Sequence, residues 1–269
     1  MLKQRILTAL VLGLIVLAAL FTLPGWGFAA FVGLIVVLAA HEWQRLCALS
    51  PAAAPLYVVA VLFASALLFV FAWPDQAFWV ALISSLGWLL LTLDVLRHRR
   101  TPPPPRSHAT RLALGMFVIV PVWYAMVALH AASPWLLLYG MMLVWVADSL
   151  AFFVGRRFGQ RKLAPALSPG KSVEGALGAL AGIGLLSALA AQLPLFSGVS
   201  RIELILWSML VAAVSVVGDL EESRLKREAG TKDSGRLLPG HGGVLDRVDS
   251  LTAALPVWLL ALVMMGRIQ

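Results

Sequence analysis

The sequence predicts an all-α polytopic membrane protein, a bundle of about nine transmembrane helices with a polar site on its cytoplasmic side. Three observations carry that prediction. Of 269 residues, 61% are hydrophobic and 13% are charged, a balance foreign to water-soluble globules of this size. Several apolar runs reach about 20 residues, the length that crosses a hydrocarbon core. The cations gather in short stretches between those runs. Backbone groups in lipid must be bonded within their own segment, so helix is the spanning form.

The helices are expected near 5–22, 26–41, 56–73, 77–96, 110–129, 134–154, 173–192, 201–221 and 251–267. The start, MLKQR before an apolar run, imitates a signal peptide. A second apolar run follows almost at once with no clear small-x-small cleavage site, so the first run reads as a retained span. Breaks fall at Pro24-Gly25, Pro51 to Pro55, Pro74, Pro102 to Pro105, Pro134, Pro169-Gly170 and Pro194. Proline lacks an N–H and clashes with the preceding turn, so it starts or stops a helix. Gly178, Gly182 and Gly184 among alanines point to close helix packing in the seventh span. Two regions are expected: 1–130 with about five helices, and 131–269 carrying the chemistry.

The net charge is +8. Because the bases sit between spans, they read as topology signals and not as a nucleic-acid surface. With the N-terminus in the cytoplasm and nine alternating spans, every one of the 21 Lys and Arg residues except Arg201 and Arg267 falls inside. The C-terminus then lies outside. The segment RHRRTPPPPRSHATR from Arg97 to Arg111 reads as a stiff, solvated topogenic linker, the alternative being a patch for anionic headgroups. Cys47 is alone, so no internal disulfide can form. It reads as a small buried hydrophobe.

One stretch breaks the apolar pattern. Gly218 to Asp249 reads GDLEESRLKREAGTKDSGRLLPGHGGVLDRVD, and it mixes acids, bases, glycines and a histidine. Carboxylates hold a hard cation, Lys and Arg take phosphate oxygens, and glycines let backbone come close to them. Asp219, Ser223 and Lys226 share a face if the eighth helix continues past the membrane edge, with Glu222 one position off that stripe. Asp246 and Asp249, three apart just before the ninth helix, point the same way on a helical turn. With Asp219 they suit one or two divalent ions, since Mg²⁺ takes a few carboxylates, water and substrate phosphate. His241, enclosed by Gly240, Gly242 and Gly243, suits either a phosphate donor or a proton carrier.

Other polar residues lie upstream. Ser168-Pro-Gly-Lys171-Ser-Val-Glu174-Gly175 resembles part of a Walker A loop, but Pro165 stands where that motif needs glycine. A Ser/Lys/Ser loop opening the seventh helix still offers N–H groups and a cation to phosphate. Asp148, near the inner end of the sixth span, should face the bundle interior. It reads as a metal ligand, a ribose ligand or a partner of Arg156. His41 and Glu42 close the second span and read as interfacial anchors.

The run Ser223-Arg-Leu-Lys226-Arg227, four residues, Lys232-Asp233-Ser-Gly235, two residues, Leu238-Pro239-Gly-His241-Gly242-Gly243-Val-Leu-Asp246-Arg247-Val-Asp249 resembles the signature of phosphatidate cytidylyltransferases. The Asp148 region and the Ser168–Gly175 loop resemble further elements of that family. Gly170 stands where a second Lys is expected, Ser172 where Thr is usual, and Phe152 where Tyr is common. The resemblance implies that CTP and phosphatidate give CDP-diacylglycerol and pyrophosphate with Mg²⁺, in a bacterial inner membrane, and it suggests a homodimer. On that reading Asp219, Asp246, Asp249 and Asp148 are the metal candidates. Ser223, Lys226, Arg227, Lys232 and Arg247 hold phosphates. Ser168 and Lys171 hold CTP, Asp233, Glu174 and His241 orient these groups, and Gly242 and Gly243 open the backbone.

Overall fold

The computed structural model describes residues 2–73, 75–238, 240 and 242–268, with side chains from residue 7 onward. His241 therefore lies outside the described residues. The helices are α1 (Leu2–Thr22), α2 (Gly25–Leu46), α3 (Ala53–Ala72), α4 (Ala77–His98), α5 (His108–Ala132), α6 (Pro134–Phe158), α7 (Val173–Ala190), α8 (Arg201–Glu228) and α9 (Leu245–Met264). Two short strands, β1 (Lys162–Ala164) and β2 (Ser168–Ser172), lie between α6 and α7. Eight of these helices, α2 to α9, are long and apolar enough to cross a membrane, and α1 contributes a shorter apolar stretch, Leu7–Thr22. The chain is an all-α integral membrane protein with one small hairpin.

The core is built round α9. Ser250 to Leu262 are buried without interruption, as expected of a helix that is apolar on every side. It packs against α8, α4, α5 and α6. Its Trp258 is fully buried and donates its indole N–H to the Leu136 carbonyl at 2.9 Å. Gly140 on α6 makes room for that ring: a Cβ there would lie 2.5 Å from Trp258 Cδ1. The apolar side chains left over point outward, with Leu56, Val70 and Phe71 on α3 and Leu90 on α4 largely exposed. Lipid is their solvent in an integral membrane protein.

Several boundaries differ from expectation. Pro121 and Pro256 sit inside α5 and α9, where the expected spans 110–129 and 251–267 already ran through them. Neighbouring elements can satisfy a carbonyl that proline frees, so an apolar run can continue through one. Helix α9 begins at Leu245, so Asp246 and Asp249 belong to its first turns and do not precede it. Helix α8 runs for 28 residues, roughly 42 Å at 1.5 Å per residue. A hydrocarbon core is about 30 Å thick, so its last two turns, Glu221 to Glu228, project beyond. The hairpin replaces an expected loop: β1 and β2 pair antiparallel, Lys162 opposite Ser172 and Ala164 opposite Ser168. In α7, Gly178 and Gly182 take side chains of α6, as the small-residue spacing predicted. A Cβ at Gly178 would lie 2.7 Å from Val154, and one at Gly182 would lie 2.1 Å from Leu150.

Candidate active site

Helix α6, the β2–α7 junction, the projecting end of α8 and the start of α9 enclose a cavity of about 620 Å³. Asp148 reaches it from α6, Ser168 and Lys171 from β2, Asp219 and Lys226 from α8, and Asp246, Arg247 and Asp249 from α9, with Asp233 from the intervening loop. Residues separated by up to a hundred positions thus share one polar chamber. Its lining leaves out Glu174, Ser223, Arg227, Lys232, Gly242 and Gly243.

Helical spacing sets the α8 wall. Lys171 Nζ lies 2.8 Å from Asp219 Oδ2, and the Ser223 hydroxyl donates to Asp219 Oδ1 at 3.2 Å. One turn further, Lys226 Nζ donates to Glu222 Oε2 at 2.6 Å and to Asp246 Oδ1 at 2.7 Å. Lys226 therefore ties α8 to α9. Asp246 Oδ2 accepts from the Ser234 amide at 3.0 Å and the Gly243 amide at 2.7 Å, and lies 2.9 Å from the Ser234 hydroxyl. Asp249 Oδ1 accepts its neighbour's amide, Ser250 N–H, at 2.7 Å.

The acids outnumber their local partners. Glu222 Oε1 is buried and has no hydrogen-bond partner among the described residues. Glu222 and Asp249 line one small cleft between α8 and α9. Asp148, Asp219 and Asp249 line the same chamber as Lys171 and Arg247. An orphaned carboxylate oxygen beside two further acids is a donor set that fits a divalent cation. Among the described residues no three His, Cys, Asp or Glu side chains gather closely enough to enclose a metal by themselves. Mg²⁺ typically takes one or two carboxylates and completes its shell with water and substrate phosphate. Without an ion, both oxygens of Asp246 accept from Lys226, Ser234 and Gly243, and both oxygens of Asp219 from Lys171 and Ser223, so protein cations and N–H groups stand where the expected one or two divalent ions would.

Two other expectations change. Glu174 turns away from the chamber: it accepts from the amides of Gln160 at 3.0 Å and Arg161 at 3.1 Å, and from Arg161 Nε at 3.0 Å, bracing the turn into β1. Ser172 keeps its place in the chamber lining and also caps α7, its hydroxyl accepting from the Gly175 amide at 3.2 Å. The Pro-rich linker is not wholly solvated. Arg106 is partly buried there, donating to Glu221 Oε2 at 3.0 Å and Asp94 Oδ2 at 3.1 Å. Burial opposes the charge of Arg106, but the bonds to Glu221 and Asp94 outweigh it and hold the guanidinium above its ordinary pKa. Arg224 joins the same cluster through Asp94, and through Glu228 at 3.0 Å.

The largest omission from the sequence reading is Glu42. It is not an interfacial anchor: α2 continues to Leu46 and the Glu42 carboxylate is buried at 4% exposure. It accepts from Val244 N–H at 3.0 Å, Leu245 N–H at 2.7 Å and the Ser234 hydroxyl at 2.9 Å. A lone Glu between His41 and Trp43, with its partners some two hundred residues away, gives no local signal.

The cytidylyltransferase family model matches residues 3–265. The chain is 43% identical over 263 residues to a phosphatidate cytidylyltransferase of Pseudomonas aeruginosa, covering 96% of both proteins. It is 37% identical to one of Haemophilus influenzae, covering 95% of this chain and 96% of that protein. It is 45% identical over 130 residues to one of Bacillus subtilis, covering 46% of each. The chain belongs to the cytidylyltransferase family.

Proposed function

We propose that this protein transfers the cytidylyl group of CTP to phosphatidate, releasing pyrophosphate and forming CDP-diacylglycerol. The observation that carries this reading is the chamber itself: acids from α6, α8 and α9 face Lys171, Lys226 and Arg247 at the end of an otherwise apolar bundle. Such a place suits two phosphate compounds, one soluble and one anchored in lipid. The positive-inside rule, applied to the basic segments, supports a site at the cytoplasmic face, with the N-terminus inside and the C-terminus outside a bacterial inner membrane.

The phosphate oxygen of phosphatidate forms a new bond to the α-phosphorus of CTP as the bond from that phosphorus to the bridging oxygen breaks. A phosphate monoester is already nucleophilic near neutral pH, so no strong base is required. What the reaction requires is that two anions be held together. Unit charges 4 Å apart repel by about 4 kcal/mol in a partly buried site. Lys171, Lys226 and Arg247 offset that repulsion and stabilise charge on the leaving pyrophosphate. Asp219, with Asp148, Asp249 and Glu222 around it, would hold Mg²⁺. When bound, that ion supplies charge neutralisation and a template for phosphate oxygens. Lys171 and Lys226 rest against carboxylates while lining the chamber. A homodimer packed through membrane helices fits the exposed apolar faces of α3 and α4.

CTP labelled at the α- or the γ-phosphorus tests the reading in detergent-purified protein with Mg²⁺ and phosphatidate. Label from the α-position should enter the lipid and label from the γ-position should leave as pyrophosphate. Lipid carrying the γ-label would make the protein a CTP-dependent lipid kinase instead.

A further inference from the structure

We propose that Glu42 is a positioning residue for the loop between α8 and α9, and that Gly235 and Gly243 are glycines to admit its carboxylate. The inference rests on the cytidylyltransferase reading above and extends it to a residue of α2, outside the signature. Helix N-termini present free N–H groups and attract anions. At α9 those groups are met from within: Glu42 Oε1 takes Val244 N–H and Oε2 takes Leu245 N–H. Glu42 thus caps α9 from a different helix. The same carboxylate takes the Ser234 hydroxyl, whose oxygen also lies 2.9 Å from Asp246 Oδ2. One hydroxyl proton stands between two carboxylates. From Asp246 the network passes to Lys226 and then to Glu222.

The glycines support this. A Cβ on Gly235 would lie 2.4 Å from Glu42 Oε1, and one on Gly243 would lie 2.3 Å from Glu42 Oε2 and 2.2 Å from Ser234 Oγ. Both contacts are far inside van der Waals distance. The side chain that closes off these two glycines comes from the protein itself, so their bareness serves Glu42. Glu42 acts on the reaction through Ser234 and Asp246, which fix where Lys226 can point.

The test uses full-length, detergent-purified protein and the variants Glu42→Gln and Ser234→Ala. Rates with CTP and phosphatidate are measured alongside hydrogen–deuterium exchange. Glu42→Gln should lower kcat at least about tenfold with KM for CTP within about threefold, the split expected when alignment and not binding is lost. Exchange over 231–246 should quicken, while 168–175 stays as in the parent. Ser234→Ala keeps the caps to Val244 and Leu245, so exchange there should hold while kcat falls about threefold or more. Parent-like kcat in both variants overturns the proposal, as does a kcat that falls only with the folded fraction. Should Glu42→Gln fail to fold, Ser234→Ala decides alone, and parent-like kcat in it overturns the proposal. Should the parent make no CDP-lipid, the functional reading fails. Exchange in Glu42→Gln then decides the positioning role, quickened supporting it and unchanged overturning it.

Discussion

Single residues divide into those that touch the chamber and those that hold others there. Lys226 does both, bridging Glu222 and Asp246 while lining the cavity. Replacing it with Met removes a cation aimed at substrate phosphate and leaves two acids facing each other. Removing one such electrostatic group typically costs about 10²-fold in rate. Lys226→Met should therefore lose CDP-diacylglycerol formation to roughly that extent, and a steady-state assay checks it. Lys226 was legible in the sequence because Asp219, Ser223 and Lys226 share a stripe on a helix long enough to leave the membrane. The partner of Lys226 on α9, and the bracing role of Glu174, were not legible. They depend on which helices meet, and periodicity within one helix cannot report that.

Elements carry the second layer. The end of α8 has two polar faces: Asp219 and Lys226 look into the chamber, with Glu222 buried behind Lys226, while Glu221, Arg224 and Glu228 look toward α4 and the Pro-rich linker. Arg106 anchors the second face, and breaking a buried ion pair on one side costs about 3–5 kcal/mol. Arg106→Ala should therefore lower the unfolding midpoint clearly. An exposed neighbour such as Arg100→Ala should leave the midpoint near the parent value, and thermal unfolding in detergent compares the two. Helices α8 and α9 also meet at Gly218, where a Cβ would lie 2.6 Å from the Asp249 carbonyl oxygen. That obstacle is backbone and cannot swing away. Gly218→Ala should part the two helices at a cost of about 1–3 kcal/mol and reduce activity with it, both read on the same sample. The spans were legible because apolar length alone marks them. The β1–β2 hairpin was not: its strands are too short to show alternation, and Gln160 and Arg161 are fixed by a side chain from α7.

For the whole molecule, the Pro-rich linker, the β1–β2 hairpin and the end of α8 meet one another. Arg106 of the linker meets Glu221 of α8, and the Arg99 carbonyl accepts from Ala166 N–H between the two strands. Segments far apart in sequence thus agree on which end is polar. If that end is cytoplasmic, Arg236→Cys should react with an impermeant maleimide only after the membrane is opened. Ser197→Cys, in the turn between α7 and α8, should react in intact cells. The reverse pattern would turn the protein over. The central claim is that transfer takes place in the chamber where Asp219 from α8 faces Lys171 from β2. The most direct measurement is the rate of CDP-diacylglycerol formation by Asp219→Asn, purified and shown to be folded, beside the parent. The account predicts a loss of at least about 10²-fold. A rate within a few fold of the parent would contradict it.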